Sequence, residues 1–600
     1  MTMSNAQGEF QSMNPKHQSR GVRNRVSRRS FLGKMSAAAA GAAVLGSGLA
    51  RPALAAKDAY NILFIFTDQE RFALPTPTGL SLPGHDRLVS TGTTFTNHYV
   101  GAVMCSSSRA ILMTGLQTPN NGIFENLNVP WVPNLSTSIP TIGHMLRKAG
   151  YYTAYKGKWH LTREFDEHQP TRLFTPEMEK YGFADYASPG DVVGHTLGGY
   201  QFDDLIADSA VTWMRRVGRP LNDDGKPWSL TLSLVNPHDI MYFDTDLPGQ
   251  PVQDSGKLIF KAAPAPHHQF YTSTWDVPIA KSLTQPFDEP GRPEAHGEYQ
   301  KGWDALLGHI PPEEARWRRF DDFYVNSLRA VDLKLVRLLA ELDALGISDR
   351  TIIVYTADHG EMSGAHGLRN KGPFAYEDNV HVPFYVVHPD IRGGQKTDAL
   401  TAHIDVAPSL LAMAGASPTQ AAEFAGGQLP GKDFTPVLAQ PASAGVHAVR
   451  ESILFTYSGL VLNDGTVLEK VADVIAAGEN PKDPAVIAKN GIKPDLGKRG
   501  SMRMVYDGRY KFSRYFAPTQ RNKPTSLDEL YASNDVELFD LETDPQEMIN
   551  LAADKATHAD LILAMNAKLE AAIKAEIGVD DGREMPDFKG ISSWTMDTAD

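Results

Sequence analysis

The chain has 600 residues, 42% hydrophobic and 22% charged, with a formal net charge of −13 at pH 7. This is the make-up of a globular protein with core enough for more than one domain. The first 56 residues hold eight Lys/Arg and one Glu, so the remainder carries −20, which argues against a polyanion-binding surface and against nucleic acid as a partner.

The N-terminus has the anatomy of a targeting segment. Ser27-Arg28-Arg29-Ser30-Phe31-Leu32-Gly33-Lys34 looks like a twin-arginine export motif. Met35 to Leu49 is weakly apolar, and too short and small-sided to span a bilayer. Arg51-Pro52-Ala53-Leu54-Ala55-Ala56 then offers an Ala-x-Ala cleavage site after Ala55. The expectation is a removable signal over 1–55, a twin-arginine translocase as partner, and a protein exported folded to the periplasm or beyond a bacterial cell. No later stretch is apolar enough to span a membrane.

Asn61 to Thr67 is a continuous apolar run that predicts a strand buried on both faces, ending at Asp68-Gln69. Thr141 to Gly150 reads as a helix and Tyr151 to Tyr155 as a strand leading into Lys156-Gly157-Lys158-Trp159-His160. Phe202 to Val217 has helical spacing, and Trp228 to Val235 is a strand ending at Asn236-Pro237-His238-Asp239. Residues 240–317, rich in Pro, His and aromatic side chains, break the rhythm and read as an insertion, either a pocket wall with Tyr271 and Trp275 available for stacking or a surface excursion. Phe320 to Leu345 is a long helix with Leu328, Val331, Leu335, Leu338, Leu339 and Leu342 as its apolar stripe. Thr351 to Thr356 is a further buried strand, ending at Asp358-His359-Gly360.

Helix and strand in alternation predict an α/β fold with a largely parallel sheet flanked by helices over 56–440. Polar residues collect after the strands, at the edge where open α/β sheets bind ligands. From 441 to 600 the pattern shifts. Glu451 to Thr456, Met502 to Tyr506, Arg509 to Phe512 and Glu537 to Leu541 read as short strands, with Asp507-Gly508 as a hairpin turn, and Ala559 to Ile577 as an amphipathic helix. This predicts a smaller C-terminal α+β domain.

The single cysteine, Cys105, excludes an internal disulfide. It lies in Cys105-Ser106-Ser107-Ser108-Arg109-Ala110-Ile111-Leu112-Met113-Thr114-Gly115, a small, polar setting rather than the apolar one of a packing cysteine. Asp68, Gln69, Asp358 and His359, all at strand ends, offer a divalent cation site. Carboxylates and an amide oxygen suit Ca²⁺, while the imidazole admits Mn²⁺ or Zn²⁺. The plainer reading makes each Asp a helix cap.

Taken together, Phe66-Thr67-Asp68-Gln69, the Cys105 run, Gly157-Lys158-Trp159-His160, Pro237-His238-Asp239, Asp358-His359-Gly360-Glu361 and Lys371 through Tyr376-Glu377 resemble, in order, the motifs of the formylglycine-dependent sulfatases of the alkaline phosphatase superfamily. The ending Leu538-Phe539-Asp540-Leu541-Glu542-Thr543-Asp544-Pro545-Gln546-Glu547 extends the likeness into the C-terminal region. The resemblance implies an alkaline-phosphatase-like fold. It implies that a maturation enzyme converts Cys105 to formylglycine, and that its hydrated form, held by the metal with Arg109 nearby, attacks sulfur to give a covalent sulfo-enzyme intermediate. His238 corresponds to the acid that protonates the leaving alcohol. Lys158 and Lys371 correspond to sulfate-binding lysines, His160 to the base that drives sulfate elimination, and Asn126 to a substrate contact. The substrate would be a small-molecule or carbohydrate sulfate ester.

Ser107 stands where the modification motif of that family usually has Pro or Ala. The Gln69 and His359 pair resembles the branch of choline sulfatases and phosphonate monoester hydrolases. Two other readings therefore stay open. One is a phosphonate monoester or phosphodiester hydrolase on the same fold, and the other is a non-catalytic binding protein with an unmodified Cys105. His85, His98, His144 and His366 read as structural, His366 with a place behind the metal site as an option.

Overall fold

A computed structural model describes residues 59–586 apart from 73–76, 130, 166–173, 189 and 255–256. The export segment expected over 1–55 lies outside the described residues. Seven strands form the main sheet: β1 (Asn61–Asp68), β2 (Thr93–Phe95), β3 (Tyr152–Gly157), β4 (Trp228–Pro237), β5 (Thr351–Ala357), β6 (Phe384–Val387) and β7 (Gln395–Thr397). Their spatial order is β3-β4-β1-β5-β6-β2-β7. β3, β4, β1 and β5 run parallel, β6 is antiparallel to both β5 and β2, and β7 is parallel to β2.

The period of two along β1 explains its unbroken apolar run. Ile62, Phe64 and Phe66 enter one core and Leu63 and Ile65 the other, so both faces are covered. β4 has the same periodicity with a different content. Leu230, Leu232 and Leu234 pack on one side, while buried Ser229, Thr231 and Ser233 alternate with them. Ser233 pairs in register with Phe66, which puts its hydroxyl on the face that also receives the cysteine helix.

That helix, α1 (Cys105–Thr114), is buried along its whole length and ends at Gly115, whose φ of 68° is the left-handed stop that favours glycine. The next long elements are α2 (Gly198–Trp213) and α3 (Glu314–Ala344), which pack against each other. The six predicted stripe residues of α3 are all buried. In the C-terminal region β8 (Ile453–Tyr457), β9 (Ser501–Tyr506), β10 (Tyr510–Phe516) and β11 (Asp535–Asp540) form an antiparallel sheet in that order. The last helix, α4 (Ala559–Glu576), covers one of its faces through Ile562, Met565, Leu569 and Ile573, and the other face joins the main core through Phe455, Met502 and Met504.

The 240–317 segment is more ordered than its composition suggests. Glu294–Leu307 is a helix of 14 residues, with Ala295, Tyr299, Trp303 and Leu306 along its buried side. The preceding Pro- and Gly-rich stretch masks this spacing in the sequence.

Candidate active site

Four segments bring their ends to one point. β1 delivers Asp68, β5 delivers Asp358 and His359, α1 delivers Cys105 at its first position, and the turn after β3 delivers Lys158. Asp68, Cys105, Asp358 and His359 place one ligand atom each within 4.8 Å of one another, all buried.

The two carboxylates divide their oxygens. Oδ2 of Asp68 accepts from Arg109 Nη2 and from Lys158 Nζ, both at 2.8 Å, and Oδ2 of Asp358 accepts from Arg109 Nε at 2.9 Å. Oδ1 of each turns inward, 3.6 and 3.5 Å from His359 Nε2. The His359 ring lies with Nδ1 3.1 Å from the Gly360 carbonyl, which assigns the proton to Nδ1 and leaves the Nε2 lone pair facing both oxygens. Cys105 Sγ is 3.2 Å from Nε2 and 3.7 Å from Asp68 Oδ1. Two inward oxygens, a sulfur and a lone-pair nitrogen at one buried point repel one another unless a cation lies between them, so the donor set fits a divalent metal. Gln69 lies beside this cluster. Its backbone N–H donates to Asp358 Oδ1 at 3.1 Å, and its amide oxygen accepts from Lys371 Nζ at 2.6 Å.

Arg109 sits one helical turn after Cys105, so it projects from the same face. Besides the two carboxylates it donates to the Lys158 carbonyl at 2.9 Å and to Ser233 Oγ at 2.8 Å, and it lies over the Phe66 ring. Its bonds go to the cage that holds the carboxylates.

Burial pushes the Asp68 carboxyl up, but the charges of Lys158 and Arg109 overcome this and hold it well below the usual carboxylate range. Burial, then the charge of Asp68, pushes Asp358 up to about 7. Burial and the Lys158 charge hold His160 and His238 well below an ordinary histidine, so both rings are neutral at rest.

Cys105 opens onto a cavity lined also by Asn126, Asn128, Lys158, His160 and His238. His160 Nε2 is 2.9 Å from Asn128 Oδ1, while Nδ1 of His160 and of His238 is buried without a partner among the described residues. Asn126 has a second task, since its Oδ1 accepts from the Ser106 N–H at 3.1 Å and caps α1. Lys371 approaches from behind Met241, whose sulfur is 3.4 Å from Nζ and whose side chain forms part of the cavity wall.

Tyr242, Phe260, Trp303 and Leu306, all from the 240–317 segment, also line the cavity. Tyr271 and Trp275 lie elsewhere: Tyr271 packs in the core with Phe243 and Phe323, and the indole of Trp275 donates to Asn326. His85 joins Glu70 and Asp332, His98 stacks on Phe384, His144 caps its own helix, and His366 stacks on Tyr376 at 3.6 Å, none of them lining the cavity. Asn128, Tyr242, Phe260 and Trp303 carry no motif. No signal in the sequence sets them apart from packing residues.

A family model described as Sulfatase matches residues 60–416. An N-acetylglucosamine-6-O-sulfatase of Bacteroides thetaiotaomicron is 26% identical over 392 residues, covering 59% of this chain and 68% of that protein. A choline-sulfatase of Rhizobium meliloti is 28% identical over 393 residues, covering 60% and 68%. Among solved structures, a 2-O GAG sulfatase superposes with a TM-score of 0.60 at 19% identity, covering 88% of this chain and 94% of its own. A phosphonate monoester hydrolase of Agrobacterium radiobacter superposes at 0.58 and 18% identity, covering 86% and 96%. At those identities the structures speak for the fold.

Proposed function

The chain belongs to the sulfatase family, hydrolases of sulfuric esters, and on that premise we propose that Cys105 is the residue a formylglycine-generating enzyme converts and that Asp68, Asp358 and His359, with Gln69 beside them, hold the divalent cation. The observation that carries this reading is the place of Sγ. It stands 3.2 Å from His359 Nε2 and 3.7 Å from Asp68 Oδ1, on the first residue of a buried helix, at the floor of a cavity bearing Lys158, His160 and His238. When present, formylglycine supplies the nucleophile and the cation the charge that lets it approach an anionic ester. Ca²⁺ is our choice of ion on the carboxylate donors, with Mn²⁺ and Zn²⁺ as the competitors that metal analysis distinguishes.

The chain's own residues then have separable tasks. Lys158 and Lys371 balance the sulfate charge from two sides. The helix N-terminus at Cys105 favours negative charge at that position. His238 gives a proton to the departing alcohol oxygen. Its ring is neutral at rest, and the bound anion raises its proton affinity, so it becomes an acid when substrate is present. His160 accepts a proton in the second half of the cycle, oriented by Asn128. Arg109 holds the two carboxylates in register. The alcohol portion of the ester meets Tyr242, Phe260, Trp303 and Leu306. Export by a twin-arginine translocase to the periplasm or beyond remains our proposal from the N-terminal motif.

A panel of aryl, choline and carbohydrate sulfates with a phenylphosphonate ester, run on protein co-expressed with a maturation enzyme, tests the reading. Peptide mass around Cys105 is measured in parallel. Sulfate release with an aldehyde at Cys105 supports it. Preference for the phosphonate ester favours the phosphoryl-transfer alternative, and an inert protein with a free thiol favours the binding-protein alternative.

A further inference from the structure

We infer that Glu361 is a positioning residue that sets the orientation of the Gln69 amide and, through it, the place of Lys371 Nζ. The inference rests on the reading of Lys371 as a sulfate partner.

Gln69, Glu361 and Lys371 are all fully buried. The Gln69 amide lies between a group that only accepts and a group that only donates. Its Nε2 donates to Glu361 Oε2 and, at 3.2 Å, to Asn370 Oδ1, while its Oε1 accepts from Lys371 Nζ at 2.6 Å. A carboxylate has no proton to give and an ammonium no lone pair to offer, so only one of the two amide orientations satisfies both sides. Turned over, Gln69 would aim N–H groups at an ammonium and its oxygen at a carboxylate. Glu361 thus fixes, from the side opposite Lys371, which end of Gln69 meets Nζ.

Glu361 is itself held by backbone. Its Oε1 accepts from the N–H of Ser363 at 3.0 Å and of Asn370 at 2.8 Å. The backbone around it is unusual. Gln69, Ser363 and Asn370 have φ of 73°, 43° and 61°, a left-handed conformation that Asn tolerates but that is costly for Gln and Ser. Three such residues converge on one carboxylate, and two of them aim their N–H groups at it. Strain gathered in this way marks a position the fold holds for a purpose beyond packing. Gln69 is pinned twice more, by its N–H on Asp358 and by Tyr324 Oη donating to its carbonyl at 2.9 Å. Rotation of its amide is the freedom left, and Glu361 removes it.

The test is a cycle of four full-length proteins: wild type, Glu361→Gln, Lys371→Met and the double variant. Inorganic sulfate is the probe, with binding read by titration calorimetry, KM and kcat measured on an aryl sulfate, and thermal midpoints recorded alongside. Glutamine at 361 can offer N–H as well as oxygen, so Lys371 alone still selects the Gln69 orientation and the amide's hold on Nζ loosens. Sulfate binding is expected to weaken roughly tenfold, the scale of one lost charge-assisted contact. In the Lys371→Met background Glu361→Gln is expected to add nothing, because its effect passes through Nζ. An equal effect in both backgrounds, or none in either, overturns the inference while leaving Lys371 in its role. If Lys371→Met alone leaves sulfate binding unchanged, the Lys371 reading falls and the inference with it. Should Glu361→Gln fold poorly, Asn370→Ala removes the second acceptor of Nε2 and is expected to give a smaller loss with the same dependence on Lys371.

Discussion

Replacing Arg109 by Met keeps the volume of the side chain and deletes its charge. In the structure the guanidinium makes four hydrogen bonds at 2.8 to 2.9 Å, two of them to carboxylates that are fully buried. Asp68 keeps Lys158 as a partner, at 2.8 Å. Asp358 keeps only the Gln69 N–H and the neutral His359, so most of the loss falls on it. Breaking one side of a buried ion pair costs about 3 to 5 kcal/mol. The same change makes the cluster more negative by one unit, so a divalent cation gains more from binding the variant than from binding wild type. Arg109→Met is therefore expected to lower the thermal midpoint by several degrees in chelator, and to recover a larger part of that loss on cation addition than wild type gains. Adding Asp358→Asn to Arg109→Met is expected to cost less than the two single losses combined, because the neutral amide no longer needs the guanidinium. Thermal scans of the four proteins, with chelator and with millimolar Ca²⁺, read all three quantities. A variant that melts with wild type in chelator, or that gains no more from the cation, would refute the view that Arg109 holds the carboxylates together.

Cys105→Ala is expected to abolish sulfate release while leaving the thermal midpoint within a few degrees, as seen by discontinuous assay and scanning calorimetry. His238→Ala should reduce kcat by about 10² to 10⁴ for esters of poorly acidic alcohols and much less for nitrophenyl sulfates, whose leaving group needs little protonation. A uniform loss across a leaving-group series would count against the acid role. Burial pushes the Glu125 carboxyl up to about 7, against the lowering effect of the Leu460 and Val461 N–H groups that it accepts. Its native value lies above its unfolded value, so its contribution is fully present below pH 4.5 and lost as pH rises through 7. Glu125→Gln should thus gain on wild type by roughly 3 kcal/mol between pH 4.5 and pH 8. Urea midpoints that shift in parallel across that range would contradict it.

Much of the site was legible as motifs at the ends of apolar runs. Asp68 ends β1, Lys158 and His160 follow β3, His238 follows β4, and Asp358 and His359 follow β5. A strand buried on both faces carries no charge and few large polar groups, so the first charged residues at its end stand out, and in a parallel sheet they share one edge. The same logic has nothing to say about β6 and β2, whose antiparallel pairing rests on strands of four and three residues. It also missed the helix over Glu294–Leu307, because periodicity loses contrast beside a run of Pro and Gly.

The order of residues set the alternation that builds the sheet, the single thiol at the head of a small-residue run, and the chemical types gathered at the strand ends. It did so because period and residue chemistry are local properties. Which oxygen of Asp68 faces Lys158, which nitrogen of His359 is free, that Arg109 braces carboxylates, and that Phe260 and Trp303 wall the cavity while Tyr271 and Trp275 do not were decided only in three dimensions. Those outcomes depend on packing between segments that lie from tens to hundreds of residues apart, where hydrogen-bond competition and exclusion of water select one arrangement from many that the local pattern allows.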